Sequence, residues 1–85
     1  MRPVDIYTTP TCGYCAMAKR LLQRKGVSYR EIDVSADPSL RAAMVQRANG
    51  RRTVPQIFIG EMHVGGCDDI YALEDAGKLD AVLAD

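Results

Sequence analysis

A change of period inside the first third of the chain constrains the fold most. Val4-Asp5-Ile6-Tyr7-Thr8 alternates over a few residues and has β-branched and aromatic character, the pattern of a strand. Thr9-Pro10-Thr11 breaks it. From Gly13 to Lys25 the period becomes helical: Ala18, Leu21 and Leu22 stand at i, i+3 and i+4, and Lys19, Arg20, Gln23 and Arg24 remain for a wet face. Lys25 suits the negative end of that helix and Gly26 its C′ position. A second strand pattern, Val27 to Val34, follows at once. Strand, helix and strand in so short a span predict a right-handed parallel crossover unit.

The alternation of the second strand fails midway, with Val27 and Tyr29 followed by Ile32 and Val34, which predicts an edge strand carrying a bulge. Asp37-Pro38 reads as an N-cap followed by proline at N1. Leu40, Ala43, Met44 and Ala48 form a helical stripe, and Asn49-Gly50 stops it. Val54 to Ile59 is a third strand and Met62-His63-Val64 a fourth, joined by a two-residue II′ turn at Gly60-Glu61. Pro55 cannot donate to a ladder, so it belongs where its strand begins or bends. Asp68 or Asp69 can cap a third helix with Ile70 and Leu73 inward and Gly77 at its end. Leu79, Val82 and Leu83 predict a last short helix. The expected fold is a three-layer α/β domain, order β-α-β-α-β-β-α, with one four-stranded mixed sheet.

Eighty-five residues support one core, since a folded chain this short buries only about 63% of its unfolded surface. One domain over residues 1–85 is expected. Eleven basic residues balance eleven acidic ones, for a formal net charge of zero. Non-specific nucleic-acid binding needs a basic surplus, so nucleic acid is excluded as a partner. No apolar run approaches the ~20 residues of a membrane span, and MRPVDIY has no apolar signal core. A cytoplasmic protein without membrane contact is expected. Three cysteines, an odd number, argue against a secreted disulfide framework.

Cys12 and Cys15 form a C-x-x-C pair at the strand-to-helix junction. Free N–H groups and the positive end of the helix dipole stabilise a thiolate at Cys12, and a thiolate is the attacking species in thiol–disulfide exchange. Cys15 lies one turn on, beside Ala18 and Leu22, and should be more buried while close enough to form a disulfide. Cys12 is thus read as nucleophile and Cys15 as resolving thiol. A structural zinc set completed by His63 and Cys67 is the competing reading. It is disfavoured because Cys15 sits inside an amphipathic helix with no turn residue after it. His63 reads as an ordinary exposed strand residue. Tyr14, between the two cysteines, reads either as plain surface or as an aromatic that packs over a bound substrate.

Tyr7-Thr8-Thr9-Pro10-Thr11-Cys12-Gly13-Tyr14-Cys15, Arg52-Thr53-Val54-Pro55-Gln56-Ile57-Phe58-Ile59 and Gly65-Gly66-Cys67-Asp68-Asp69, in this order and spacing, resemble the glutaredoxins, most closely the short bacterial class with a dithiol site. The likeness runs over nearly the whole chain. It implies the thioredoxin fold and a cytoplasmic role in electron transport and cell redox homeostasis. It also implies a glutathione-dependent oxidoreductase acting on protein–glutathione mixed disulfides and protein disulfides, ribonucleotide reductase among them. By the same resemblance, Thr53-Val54-Pro55 is a cis-proline loop beside the cysteines, and the Val54 backbone pairs with the cysteinyl part of glutathione. Gly66, Cys67 and Asp68 hold the γ-glutamyl end, and Tyr14 flanks the sulfur. Physics agrees at that end, because a helix N-terminus takes anions and Gly-Gly permits close approach. For Cys67 itself the residue type fits a small neighbour of the ligand, without a catalytic role.

Two departures stand out. Gly13 replaces the proline common in dithiol relatives, and Thr9 replaces a lysine that in many relatives helps hold the glycyl carboxylate. Arg47, Arg51, Arg52 or Gln56 could supply that partner. For Arg51 and Arg52, plain solvated charge is an equal reading. Some relatives with Gly or Ser after the first cysteine bridge a [2Fe–2S] cluster between two subunits with that cysteine and two glutathiones. The alternative function is therefore a cluster carrier in which Cys12 is the metal ligand, with a monomer expected in the absence of a cluster.

Overall fold

The computed structural model describes residues 1–84. The elements are β1 (Val4–Thr8), α1 (Gly13–Arg24), β2 (Arg30–Asp33), α2 (Pro38–Arg47), β3 (Gln56–Ile59), β4 (Met62–Gly65), α3 (Cys67–Asp75) and α4 (Leu79–Leu83). The strands form one sheet in the order β2-β1-β3-β4. β1 runs parallel to β2 and antiparallel to β3, and β3 is antiparallel to β4. This is the mixed sheet expected from the element order.

Successive side chains of a strand point to opposite faces, and the two faces here build two clusters. Val4 and Ile6 of β1 and Ile57 and Ile59 of β3 pack with Leu21 and Leu22 of α1, Ile70 of α3 and Leu79 of α4. Tyr7 and Phe58 face the other way, against Met44 of α2 and Ala48, the residue that caps its C-terminal end. Each fully buried Leu or Ile contributes about 1.5–3 kcal/mol, so α1 is held firmly by Leu21 and Leu22, both 0% exposed. Polar bonds reinforce the β1 end: the buried Thr8 hydroxyl donates to Glu31 at 2.7 Å, and Lys19 donates to the same carboxylate at 3.0 Å. Strand, helix and neighbouring strand are thereby tied together at the loop that carries the cysteines.

Several local expectations change. β2 covers only Arg30–Asp33, because the Val27 N–H closes the end of α1 by donating to Leu22 O. β2 is an edge strand as expected, but the irregularity lies between β3 and β4, at Ile57/Phe58. β3 begins at Gln56, since Pro55 has no N–H for a ladder. In α2, Ala43 is exposed, and burial falls on Met44, followed by Ala48. Asp37 caps α2 as read, accepting from Ser39 N at 2.8 Å. The β3–β4 hairpin has positive φ only at Gly60 of its two turn residues (+58°), which fits the II′ turn. Among the described residues no helix is long and apolar enough to cross a membrane.

Candidate active site

Cys12 is the N-cap of α1, with extended backbone (φ −92°, ψ 112°). Its sulfur accepts the Cys15 N–H at 3.1 Å, and its thiol donates to the Val54 carbonyl at 3.7 Å. A cap side chain normally offers oxygen to such an orphan N–H; here sulfur takes that place and is held at the positive end of the helix. Cys12 is half-buried, whereas Cys15 is 1% exposed. The Cys15 thiol is pushed up to about 12, first by burial, then by its hydrogen bond with Cys12 and by charge on Cys12. The Thr9 backbone and the Lys19 ammonium pull it the other way. One thiol thus stands at the rim and the other stays protonated underneath it.

Beside this pair lies an open groove of about 560 Å³. One wall is Thr53, Val54 and Pro55, where the Val54–Pro55 peptide is cis. Gly66, Cys67 and Asp68 at the start of α3 also line the groove, as does Tyr14, 67% exposed. Every glutathione-contact residue expected from the resemblance therefore lines one groove. Two lining residues were not singled out, Met17 and Tyr71. Their signal was helical spacing: Met17 follows Tyr14 by three, and Tyr71 follows Cys67 by four. The Tyr71 hydroxyl donates to Met17 O at 3.2 Å, joining α3 to α1.

The cap of α3 differs from expectation. Gly66 is the N-cap, with neither Asp68 nor Asp69 in that position. Asp69 lies at N3 and accepts the Gly66 N–H at 2.8 Å while pairing with Arg51 at 3.2 Å. The Gly66 N–H, and with it Arg51, holds the Asp69 carboxyl below its ordinary value. Gly65 is required here: at φ +113°, an added Cβ would collide with the Asp69 carboxylate and the Arg51 guanidinium. Asp68 is exposed in the groove wall. Cys67 is 6% exposed, and its thiol is pushed up by burial and then by the Asp68 carboxylate.

Of the four candidate partners for a glycyl carboxylate, only Arg51 lines the groove. Arg47 lies across the Phe58 ring and bonds Asp5 and the Tyr7 hydroxyl. Gln56 is 0% exposed and bonds Thr53. Arg52 is exposed outside the lining, its carbonyl accepting from Arg41. His63 also departs from its reading as an exposed strand residue. It is half-buried, stacked on Phe58 at 4.8 Å between ring centroids, and 2.7 Å from Gln56 Oε1. Among the described residues, no three His, Cys, Asp or Glu side chains come together as a metal-holding group.

Residues 4–64 match the family model described as Glutaredoxin. The chain is 62% identical over 84 residues to a glutaredoxin of Pseudomonas aeruginosa, covering 99% of each. To glutaredoxin 3 of Escherichia coli K12 it is 52% identical over 83 residues, covering 98% of this chain and 99% of that protein. The solution structure of glutaredoxin from Brucella melitensis superimposes with TM-score 0.86 at 65% identity, covering 98% of this chain and 89% of that one. The crystal structure of a buckwheat glutaredoxin–glutathione complex does so with TM-score 0.87 at 35% identity, covering 96% and 76%.

Proposed function

The chain belongs to the glutaredoxin family of thiol–disulfide oxidoreductases and has the thioredoxin fold, and on that premise we propose that it is a cytoplasmic, glutathione-dependent reductase of protein–glutathione mixed disulfides and protein disulfides. The observation that carries this reading is the groove lined by Thr53-Val54-Pro55 and Gly66-Cys67-Asp68, with the Cys12 sulfur 3.7 Å from the carbonyl of its lining residue Val54. The buckwheat complex supports glutathione as its occupant.

In this mechanism the Cys12 thiolate attacks the glutathione sulfur of a mixed disulfide. A Cys12–glutathione disulfide forms, the bond to the substrate protein's sulfur breaks, and that sulfur leaves as a thiolate that takes up a proton. A second glutathione thiolate attacks the bound glutathione sulfur, giving glutathione disulfide and restoring Cys12. With a protein disulfide such as that of ribonucleotide reductase, Cys12 first forms a mixed disulfide with the substrate protein. Cys15 then loses its proton and attacks Cys12, releasing the second substrate thiol, and glutathione later reduces the Cys12–Cys15 disulfide. The Val54 backbone pairs with the cysteinyl part of glutathione and Tyr14 flanks its sulfur. The N–H groups at the α3 start take the γ-glutamyl carboxylate and Asp68 its ammonium. Arg51, paired with Asp69 beside Gly65 and Gly66, also lies at this γ-glutamyl end and not at the glycyl end for which it was a candidate.

The test compares one peptide carrying either a glutathionyl or a cysteaminyl disulfide, with glutathione as reductant. A kcat/KM at least about ten-fold higher for the glutathionyl peptide is expected, a difference of about 1.4 kcal/mol in transition-state binding. Equal use of both overturns glutathione recognition while leaving thiol exchange intact.

A second reading, a glutathione-ligated [2Fe–2S] carrier, is supported by the open space at Gly13, where an added Cβ would meet nothing within 4 Å. The residues fit such a cargo in one way. Cys15 and Cys67 are buried, so each chain offers the Cys12 thiolate, and two chains with two glutathiones complete four sulfur ligands. Anaerobic assembly with iron, sulfide and glutathione should yield a coloured dimer by absorbance and size-exclusion mass. A colourless monomer overturns the reading.

A further inference from the structure

Beneath the groove, the buried amide of Gln56 has both ends engaged. Its Nε2 donates to the Thr53 carbonyl at 3.0 Å and lies 3.3 Å from the Thr53 hydroxyl, and its Oε1 is 2.7 Å from His63 Nε2. The orientation follows from what each atom can do. A carbonyl oxygen only accepts, so the amide atom facing Thr53 O must be the nitrogen. Oε1 then faces His63, and His63 Nε2 must carry a hydrogen. Nothing in the strand pattern of β4 announces this role, because the three residues lie on β3, β4 and the loop before β3.

The consequence reaches the groove through one peptide plane. In a trans peptide the carbonyl of one residue and the N–H of the next point in opposite directions. The Thr53–Val54 peptide is trans, and its carbonyl is drawn toward a side chain that is 0% exposed. The Val54 N–H therefore points away from the buried amide, outward. The carbonyl of the same Val54 accepts from the Cys12 thiol. One buried hydrogen bond thus sets the direction of the backbone donor of Val54, the residue whose carbonyl meets the Cys12 thiol.

We propose that His63 is a positioning residue for substrate binding: its Nε2–H orients the Gln56 amide, which anchors Thr53 and aims the Val54 N–H at the cysteinyl backbone of glutathione. This rests on the reading of the groove as a glutathione site. His63 touches neither the substrate nor the reacting sulfurs. Its ring is stacked on Phe58, and three charged groups act on it: Arg51 from the loop before β3, Arg47 of α2 and Asp69 of α3. Burial, with Arg51 and Arg47, holds the imidazole below its ordinary value against the opposite pull of Asp69. The ring is neutral at pH 7, so exchanging it for phenylalanine keeps both the stacking surface and the charge.

The test uses three proteins: wild type, His63→Phe, which removes the donor, and His63→Gln, whose side-chain N–H₂ reaches to where Nε2 stands. Each is assayed with the glutathionyl and cysteaminyl peptides. His63→Phe should raise KM for the glutathionyl peptide about ten-fold with kcat within about two-fold, and should leave the cysteaminyl peptide's KM unchanged. His63→Gln should restore KM to within about two-fold of wild type. An unchanged KM in His63→Phe, an equal KM rise for both peptides, or no rescue by glutamine overturns the proposal. Should wild type itself fail to prefer the glutathionyl peptide, the glutathione reading is what falls, and that result is visible before any variant is compared. Nitrogen-15 spectra of wild-type imidazole provide an arm that requires no variant to fold. The Nε2–H tautomer is expected, and an Nδ1–H tautomer at pH 7 overturns the proposal directly.

Discussion

The Cys12 sulfur accepts the N–H of Cys15 at 3.1 Å, so the two thiols of the C-x-x-C pair are joined through the backbone of the second. One residue supplies the cap of α1 and the other the N–H that is capped. The same contact that closes the helix end holds the outer sulfur against the first turn of α1, while burial keeps the inner thiol protonated.

This asymmetry predicts unequal losses. Cys12→Ser should abolish turnover of glutathionylated peptides, although serine is a good N-cap and should keep the unfolding midpoint close to that of wild type. Cys15→Ser should retain that turnover within a few-fold and lose reduction of protein disulfides. Coupled glutathione oxidation measures both. Equal loss of mixed-disulfide turnover in the two variants would contradict the division of labour.

Asp68 and Asp69, adjacent in sequence, should separate cleanly. Asp68 is exposed in the groove wall and caps nothing. Asp68→Ala should raise the apparent KM for glutathione several-fold with little change in denaturation midpoint, and Asp68→Asn should also lose the charge contact. A wild-type KM in both would remove Asp68 from the binding site.

Asp69 should act on stability through pH. Its carboxyl is held below the ordinary value by the Gly66 N–H and then Arg51. A depressed carboxyl stabilises the native state above its unfolded pKa of about 4, and that contribution is lost as pH falls through the lower folded value. At neutral pH, Asp69→Asn should cost about 1 kcal/mol, of the order of a lost helix cap. The gap from wild type should narrow below about pH 4. Urea melts of both proteins across pH 2.5–7 provide the comparison, and a pH-independent gap would show that the carboxylate charge is immaterial.

Gly13 stands at the first position of α1 with open space above it. Proline is accepted there, and it lowers unfolded-chain entropy by about 0.4–1 kcal/mol where its backbone fits. Gly13→Pro should therefore fold with equal or slightly greater stability and keep reductase activity within a few-fold. The ring should also crowd the surface that a bridged dimer would use, so reconstituted [2Fe–2S] absorbance and dimer mass should fall relative to wild type. A variant that assembles as readily as wild type would refute the steric account of Gly13.

What the sequence determined by itself was whatever one local pattern can specify. The Leu21–Leu22 stripe and Gly26 define α1, Asp37-Pro38 starts α2, and Cys12-x-x-Cys15 at a strand-to-helix change locates the thiols. The resemblance carried by three short segments then named the two walls of the groove. Only tertiary structure decided the rest, because it depends on residues that pattern cannot bring together. Gly66 caps α3 since Asp69 turns back onto it and meets Arg51 from a distant loop. Arg47 and Gln56 do not line the groove, being held by Asp5, Tyr7, Phe58 and Thr53. His63 has no helical or strand periodicity that marks it; it acquires a partner because the β3–β4 hairpin brings it beside the buried Gln56 amide. Buried polar groups must find donors and acceptors wherever the fold brings them. Those pairings are properties of the folded neighbourhood and are invisible in a period of 2 or 3.6.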